Sequence, residues 1–287
     1  MTGPRLAALS DDLSSNFRDA AKLAAELGLR GLAVRHVDGQ NIGDLDRGSV
    51  RAVRRTADQH GLDISAVSSP LGRGLSLADD AGPALSLLDK MMSYADVLGT
   101  NLVRFFACWI NDKEGVGQWW DRPDLTVVLP RLAERVGTLA ARAERAGVTL
   151  MLELEGASYA GQVAEARTLM AEVDSSSIEL CWDVCNGWWS GEHPTSGLAL
   201  ALRLPIADVQ FKDVRAQASN PARPDRVQVT LGSGDIDYAT IISALRRNGY
   251  DGWYTAERVY HPRKPEAEPR LQEDMISDLR HLSTLLE

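Results

Sequence analysis

Residues 148 to 156 read V-T-L-M-L-E-L-E-G, and this stretch constrains the chain more than any other. In a β-strand side chains alternate between faces, so Val148, Leu150, Leu152 and Leu154 share one face while Thr149, Met151, Glu153 and Glu155 share the other. One face is wholly aliphatic; the other turns acidic only toward its C-terminal end. A strand on a surface would carry polar residues along its whole outer face. The pattern predicts instead a strand covered by helices outside, with an inner face that opens into a site at its carboxyl end.

Segments of the same kind recur along the chain. Strands are expected at Arg5 to Leu9, Gly31 to His36, Leu62 to Ser68, Asn101 to Phe106, the stretch above, Ile178 to Asp183, Ile206 to Lys212 and Gly252 to Glu257. Between them lie helical patterns at Asn16 to Leu27, Arg47 to His60, Pro83 to Leu98, Leu125 to Ala146, Gln162 to Val173, Thr195 to Arg203, Asp237 to Asn248 and Glu268 to Leu286. Gly28 and Gly61 stop the first two, as glycine does past a helix end. Strands alternating with helices in eight regular units predict an α/β protein, a single (β/α)8 TIM barrel, in one domain spanning residues 1–287. A doubly wound open sheet shares the alternation, but unbroken regularity favours closure. No G-x-G-x-x-G follows the first strand and there is no P-loop, which disfavours nucleotide binding.

Composition narrows the partners. Lys plus Arg number 31 against 40 Asp plus Glu, for a net charge of −9, and no basic cluster stands out, so a nucleic-acid partner is not expected. No apolar run approaches the ~18 residues of a membrane span. The N-terminal residues lack a basic region followed by an apolar stretch, and Cys108, Cys181 and Cys185 are an odd number without metal-finger spacing. Free thiols and a cytoplasmic location are the expectation.

In a barrel the side chains at the carboxyl ends of the strands converge on one mouth. The last inward polar residues of strands five to eight are Glu153, Asp183, Gln210 and Glu257, all oxygen donors. Carboxylates brought together raise one another's pKa unless a cation sits among them. Ligation by oxygen alone favours a hard ion, Mg2+ or Mn2+, over zinc. A single acid at a strand end is usually a helix cap or a surface charge; four donors in register on consecutive strands point to a metal site.

These motifs resemble the xylose isomerase-like TIM-barrel superfamily, in its sugar phosphate isomerase and epimerase branch. The resemblance is carried by G-L-R-G-L-A-V-R-H-V-D-G-Q-N-I at the second strand, A-V-S-S-P-L-G-R after the third, L-V-R-F-F on the fourth, L-E-L-E-G-A-S-Y-A-G on the fifth, C-W-D-V-C-N on the sixth, V-Q-F-K-D-V-R on the seventh, and L-G-S-G-D-I-D-Y leading into G-Y-D-G-W-Y-T-A-E-R on the eighth. It implies a divalent metal held by Glu153, Asp183, Gln210 and Glu257, with Glu153 and Glu257 as the acid/base pair of a sugar epimerase or isomerase that works through a metal-stabilised enediolate. Most relatives carry His at the seventh-strand ligand, in H-x-K-D; here the motif reads Q-F-K-D. Some branches, such as hydroxypyruvate isomerases and certain dehydroshikimate dehydratases, are similar in using Gln there. The resemblance also implies a small carbohydrate or polyol substrate and a homo-oligomer.

Around that core several residues are substrate-binding candidates. Asn186 stands three residues after Asp183, where relatives carry a His or Asn that touches substrate. Glu155 either binds hydroxyls or pairs with a nearby base. Lys212 and Arg215 either hold a substrate group or are solvated loop charges, and Arg104 is a substrate clamp or a charge-balancing strut. His36 ends the second strand and His261 follows Glu257 in a loop, while His193 starts a helix. Trp109, Trp119, Trp120, Trp188 and Trp189 could stack on sugar C–H faces or form a loop core or interface. G-S-G at 232–234 reads as a phosphate cradle or, preferably, as a tight turn before a helix capped by Asp235 or Asp237.

An epimerase or isomerase leads these expectations. The alternative is a lyase, a dehydratase or keto-glycoside-cleaving enzyme on the same ligands, because the same enolate can expel a β-leaving group. Dehydroshikimate dehydratases often have His two residues past the first glutamate, and Glu155 stands there instead. A non-catalytic or partner-dependent subunit, with Gln210 marking lost metal affinity, is the third. Endonucleases of the endonuclease IV type use a His-rich cluster that this chain lacks.

Overall fold

The computed structural model describes residues 3–110, 124–217, 225–258 and 267–287. The strands among them are β1 (Arg5–Leu9), β2 (Gly31–Val34), β3 (His36–Val37), β4 (Gln40–Asn41), β5 (Asp63–Val67), β6 (Leu102–Phe105), β7 (Thr149–Glu153), β8 (Ile178–Asp183), β9 (Ile206–Phe211), β10 (Asp213–Gln217), β11 (Asp225–Val229) and β12 (Trp253–Ala256). Eight close into a barrel in the order β1-β12-β9-β8-β7-β6-β5-β2, so the (β/α)8 expectation holds. The other four form two hairpins, β3 with β4 and β10 with β11.

The helices are α1 (Ser10–Leu13), α2 (Phe17–Glu26), α3 (Arg47–Gln59), α4 (Gly82–Leu98), α5 (Leu125–Arg145), α6 (Val163–Val173), α7 (Val184–Trp189), α8 (Pro194–Ala201), α9 (Tyr238–Arg247) and α10 (Glu268–Leu286). Eight match the helical patterns of the sequence. The short helices α1 and α7 do not show in a periodicity count, because neither completes two turns. No helix among the described residues is long and apolar enough to cross a membrane.

By internal contacts the chain divides into two compact units, residues 1–66, 97–100 and 209–287 in one and residues 67–96 and 101–208 in the other. In the second unit the parallel register sets the functional side chains. Arg104 stands opposite Met151 and Glu153 opposite Cys181, so these residues share a face in neighbouring pairs. Asp183 lies two residues past Cys181 and therefore projects from the same face as Glu153, one step further along. Leu150 and Leu152, the alternate residues, are fully buried, which makes β7 a strand covered on both faces.

Gly72 sets how closely the segment after β5 approaches the end of β6. Its φ is +87°, and a Cβ there would stand 2.1 Å from the carbonyl oxygen of Phe106. Glycine alone permits this contact, which runs beside the Phe106 N–H to Leu71 O hydrogen bond of 2.9 Å. The same segment presents the carbonyls of Ser68 and Ser69 to Arg104.

In the first unit β1 runs parallel to β12, with Ala8 opposite Ala256, and to β2, with Ala8 opposite Leu32. The residues just past these strand ends, Asp11 and Asp12, Arg35, and Glu257, thereby leave the sheet on the same side. The second strand ends earlier than its apolar run suggested. It stops at Val34, and His36 opens the separate hairpin, with Arg35 between them.

Candidate metal centre

Glu153 ends β7, Asp183 ends β8 and Glu257 follows β12. One carboxylate oxygen from each lies within 4.8 Å of the other two, and the residues are 4%, 0% and 4% exposed. Buried carboxylates this close repel one another strongly unless a proton or a cation intervenes. The donors are all oxygen, which suits a hard divalent ion of the Mg2+ or Mn2+ type, so the residues present fit the expected group. Gln210, the fourth expected donor, is buried in β9.

Each glutamate is also held by cationic side chains. Arg104 donates from Nη1 to Glu153 Oε2 at 2.9 Å, while its Nε and Nη2 donate to the carbonyls of Ser69 and Ser68 at 3.2 and 3.1 Å. Its guanidinium carbon also lies 4.9 Å from the centre of the Phe106 ring. These contacts tie Arg104 to Glu153 and to the backbone of the segment after β5. Glu257 accepts from Arg35 Nη1 on Oε1 at 2.9 Å and from Lys212 Nζ on Oε2 at 3.2 Å. Lys212 is 2% exposed, so it is not the solvated loop charge its sequence position allowed.

Asp183 has a structural duty besides its place in the cluster. Its Oδ1 accepts the N–H of Asn186 at 2.9 Å and so caps α7. The Asn186 side chain donates to the carbonyl of Leu154 at 2.7 Å, which ties α7 to the segment after β7. Asn186 is thus buried next to Asp183.

Other candidates are placed differently. Strand β7 ends at Glu153, so alternation does not continue to Glu155, whose Oε1 accepts the N–H of Ala157 at 3.1 Å in the following turn. His36 is held on both ring nitrogens. Asn41 Oδ1 accepts the N–H of Gly43, which fixes its amide with Nδ2 toward His36 Nε2 at 3.4 Å. Nε2 is then the acceptor, and the proton sits on Nδ1, facing Asp11 Oδ2 at 3.1 Å.

Arg215 is exposed on β10 and donates to the carbonyl of Ser233. Trp109 packs edge-on against Phe106 with ring centroids 5.5 Å apart, and Trp188 meets His193 at 6.0 Å. His193 caps α8, as expected. Trp119, Trp120 and His261 lie outside the described residues.

The G-S-G stretch is a turn. Its amides serve an anion of the chain itself: Asp213 Oδ2 accepts the N–H of Gly232 at 3.0 Å and of Gly234 at 2.9 Å, while Oδ1 accepts that of Val214 at 2.8 Å. A Cβ on Gly234 would stand 2.1 Å from Asp213 Oδ1, which is why glycine is required there. Asp237 caps the next helix through the N–H of Thr240, one of the two caps expected.

Sequence reading missed Asp11, Asp12, Arg35 and Asp213. The signal for the first two was present as consecutive acids just past the first strand, whereas Arg35 fell inside the expected second strand and directly follows β2 only in the structure. The three cysteines are buried free thiols. Burial pushes Cys181 well above the usual thiol range and Cys108 up to about 11, so neither is a nucleophile near neutral pH.

Residues 21–280 match the family described as xylose isomerase-like TIM barrel. The inosose dehydratase of Lacticaseibacillus casei is 28% identical over 144 residues, which are 47% of this chain and 48% of the relative. The chain therefore spans about half the length of the curated relatives it matches first. Among solved structures, the probable 3-DHS dehydratase AsbF from Bacillus anthracis superposes with a TM-score of 0.75 at 17% identity, covering 97% of this chain and 98% of that one. A xylose isomerase-like TIM barrel protein from Mycobacterium smegmatis, solved in complex with magnesium, gives 0.70 at 19% identity over 100% and 98% of the two chains. At these identities the structures establish a shared fold.

Proposed function

The chain belongs to the xylose isomerase-like TIM barrel family, and from that premise we propose that it is a divalent-metal-dependent lyase that removes water from a small keto-sugar or keto-polyol. The observation that carries this reading is the buried meeting of Glu153, Asp183 and Glu257 oxygens within 4.8 Å. The choice of lyase over isomerase is supported by the curated relatives, which are named inosose dehydratases. It revises the order of the sequence expectations, where epimerisation led.

Glu153, Asp183 and Glu257, with Gln210 as the fourth donor, would hold Mg2+ or Mn2+. When bound, such an ion acts as a Lewis acid toward a substrate carbonyl and makes the neighbouring C–H more acidic. Glu153 and Glu257 divide the proton work. One removes the proton from the carbon beside the carbonyl. The C–H electron pair becomes the new C=C bond and expels the hydroxyl on the next carbon, which leaves as water with the proton held by the other glutamate. Arg104 keeps Glu153 oriented, and Lys212 and Arg35 do the same for Glu257. Asn186, buried against Leu154, closes the wall beside Asp183.

Epimerisation is the second reading, favoured by the presence of two buried glutamates in the cluster, since one can take a proton and the other return it. A panel of keto-sugars and keto-polyols incubated with Mn2+ in D2O and followed by NMR separates the two. Loss of water is the expected result. Deuterium incorporation with a new stereoisomer and no loss of water would establish the second reading, and no turnover of any keto substrate would overturn both.

A further inference from the structure

The Arg35 guanidinium touches three carboxylates with three different nitrogens. Nε donates to Asp11 Oδ2 at 3.1 Å, Nη2 to Asp12 Oδ1 at 2.8 Å and Nη1 to Glu257 Oε1 at 2.9 Å. Asp11 and Asp12 are 3% and 1% exposed, and the Arg35 side chain is 14% exposed, so this is an internal junction and not a surface pair. Asp12 Oδ2 also accepts the backbone N–H of Arg258 at 2.9 Å, which pins it to the residue following Glu257. Asp11 Oδ2 is shared with His36 Nδ1.

We infer that Arg35 is a positioning residue for Glu257: Asp11 and Asp12 fix the plane of its guanidinium, and its remaining arm holds one Glu257 oxygen so that the carboxylate can turn only within the space left to it. A planar fork with fixed donor directions can do this, and the point charge of lysine cannot. The inference builds on the proposed role of Glu257. It adds that the geometry of Glu257 is set from the ends of the first and second strands, through Arg35, 222 residues away in the chain.

The test is Arg35→Lys, which keeps the charge and removes the fork, with Asp11→Asn as a milder second variant. Two readouts are independent of turnover: Mn2+ affinity by titration calorimetry and the Glu257 rotamer in a crystal structure of the variant. For Arg35→Lys, Mn2+ affinity and kcat should each fall about tenfold or more with KM nearly unchanged, as for other outer partners of metal ligands, and Glu257 should take a different rotamer. Asp11→Asn should show the same direction at smaller size. A purely structural role predicts a lower melting temperature with Glu257 unmoved and Mn2+ affinity equal to wild type, and that result overturns the inference. If wild type itself binds no Mn2+, the metal reading falls, and the Glu257 rotamer still decides whether Arg35 positions it. Should Arg35→Lys fail to fold, Asp11→Asn with an unmoved Glu257 is equally decisive against it.

Discussion

The two glutamates of the cluster are held in opposite ways. Glu153 is held by Arg104, whose other donors go to the carbonyls of Ser68 and Ser69, so this anchor is itself fixed by backbone. Glu257 has a cation on each oxygen, Lys212 and Arg35, and Arg35 answers in turn to two aspartates. A carbonyl anchor moves only if the chain moves. An anchor of side chains can be retuned by one substitution, so the Glu257 side is where geometry can be altered without disturbing the fold.

The largest effect should come from removing either acid. Glu153→Gln and Glu257→Gln are each expected to lower kcat by roughly 100- to 10,000-fold, measured by NMR turnover, and full activity in either breaks the shared proton work. If only one of the two loses activity, the glutamates differ in task as well as in setting.

Removing the anchors sharpens the contrast. Arg104→Met removes the Arg104 guanidinium from buried Glu153 and is expected to cost about 3–5 kcal/mol in urea denaturation. Lys212→Met leaves Glu257 with Arg35 still in place, so its stability cost should be clearly smaller while kcat falls. Equal costs would mean that the two settings are energetically alike.

Metal removal comes next in size. Treatment with EDTA should abolish turnover, and Mn2+ or Mg2+ should restore it. Saturating Mn2+ at about 100 times its Kd should stabilise the fold by about 2.7 kcal/mol, read as a rise in melting temperature. No rise, with full activity in EDTA, would remove the metal from the proposal.

The smallest effect concerns Asp213, next to Lys212. Burial pushes its carboxyl above the ordinary range despite the amides that hold it. Between the ordinary and the raised value the folded state keeps a proton that the unfolded state has lost, so this group's contribution to stability falls as pH rises through that window. The stability advantage of wild type over Asp213→Asn should therefore narrow with rising pH, measured by urea denaturation from acid to neutral pH. A widening gap would show that the amide cradle outweighs burial.

Much of this was legible beforehand. The alternation of β7 located a buried strand carrying Glu153 near its carboxyl end, and repetition of that pattern gave all eight staves to within three residues of their ends. Parallel register then made Asp183 and Glu257 foreseeable, because strand ends in a barrel converge by geometry. Glu155 was not foreseeable. The strand stops two residues short of it, and a local hydrogen bond to Ala157 outweighs continued alternation.

The amino-acid order alone determined the barrel and the acids at its strand ends, since hydrophobic periodicity and strand alternation are local and repeat along the chain. Tertiary structure decided which cation answers which acid. Arg35 and Glu257 are 222 residues apart, and the glycine amides that serve Asp213 lie 19 and 21 residues from it. Such pairings depend on distances of a few ångströms between side chains, and no period in the sequence encodes them.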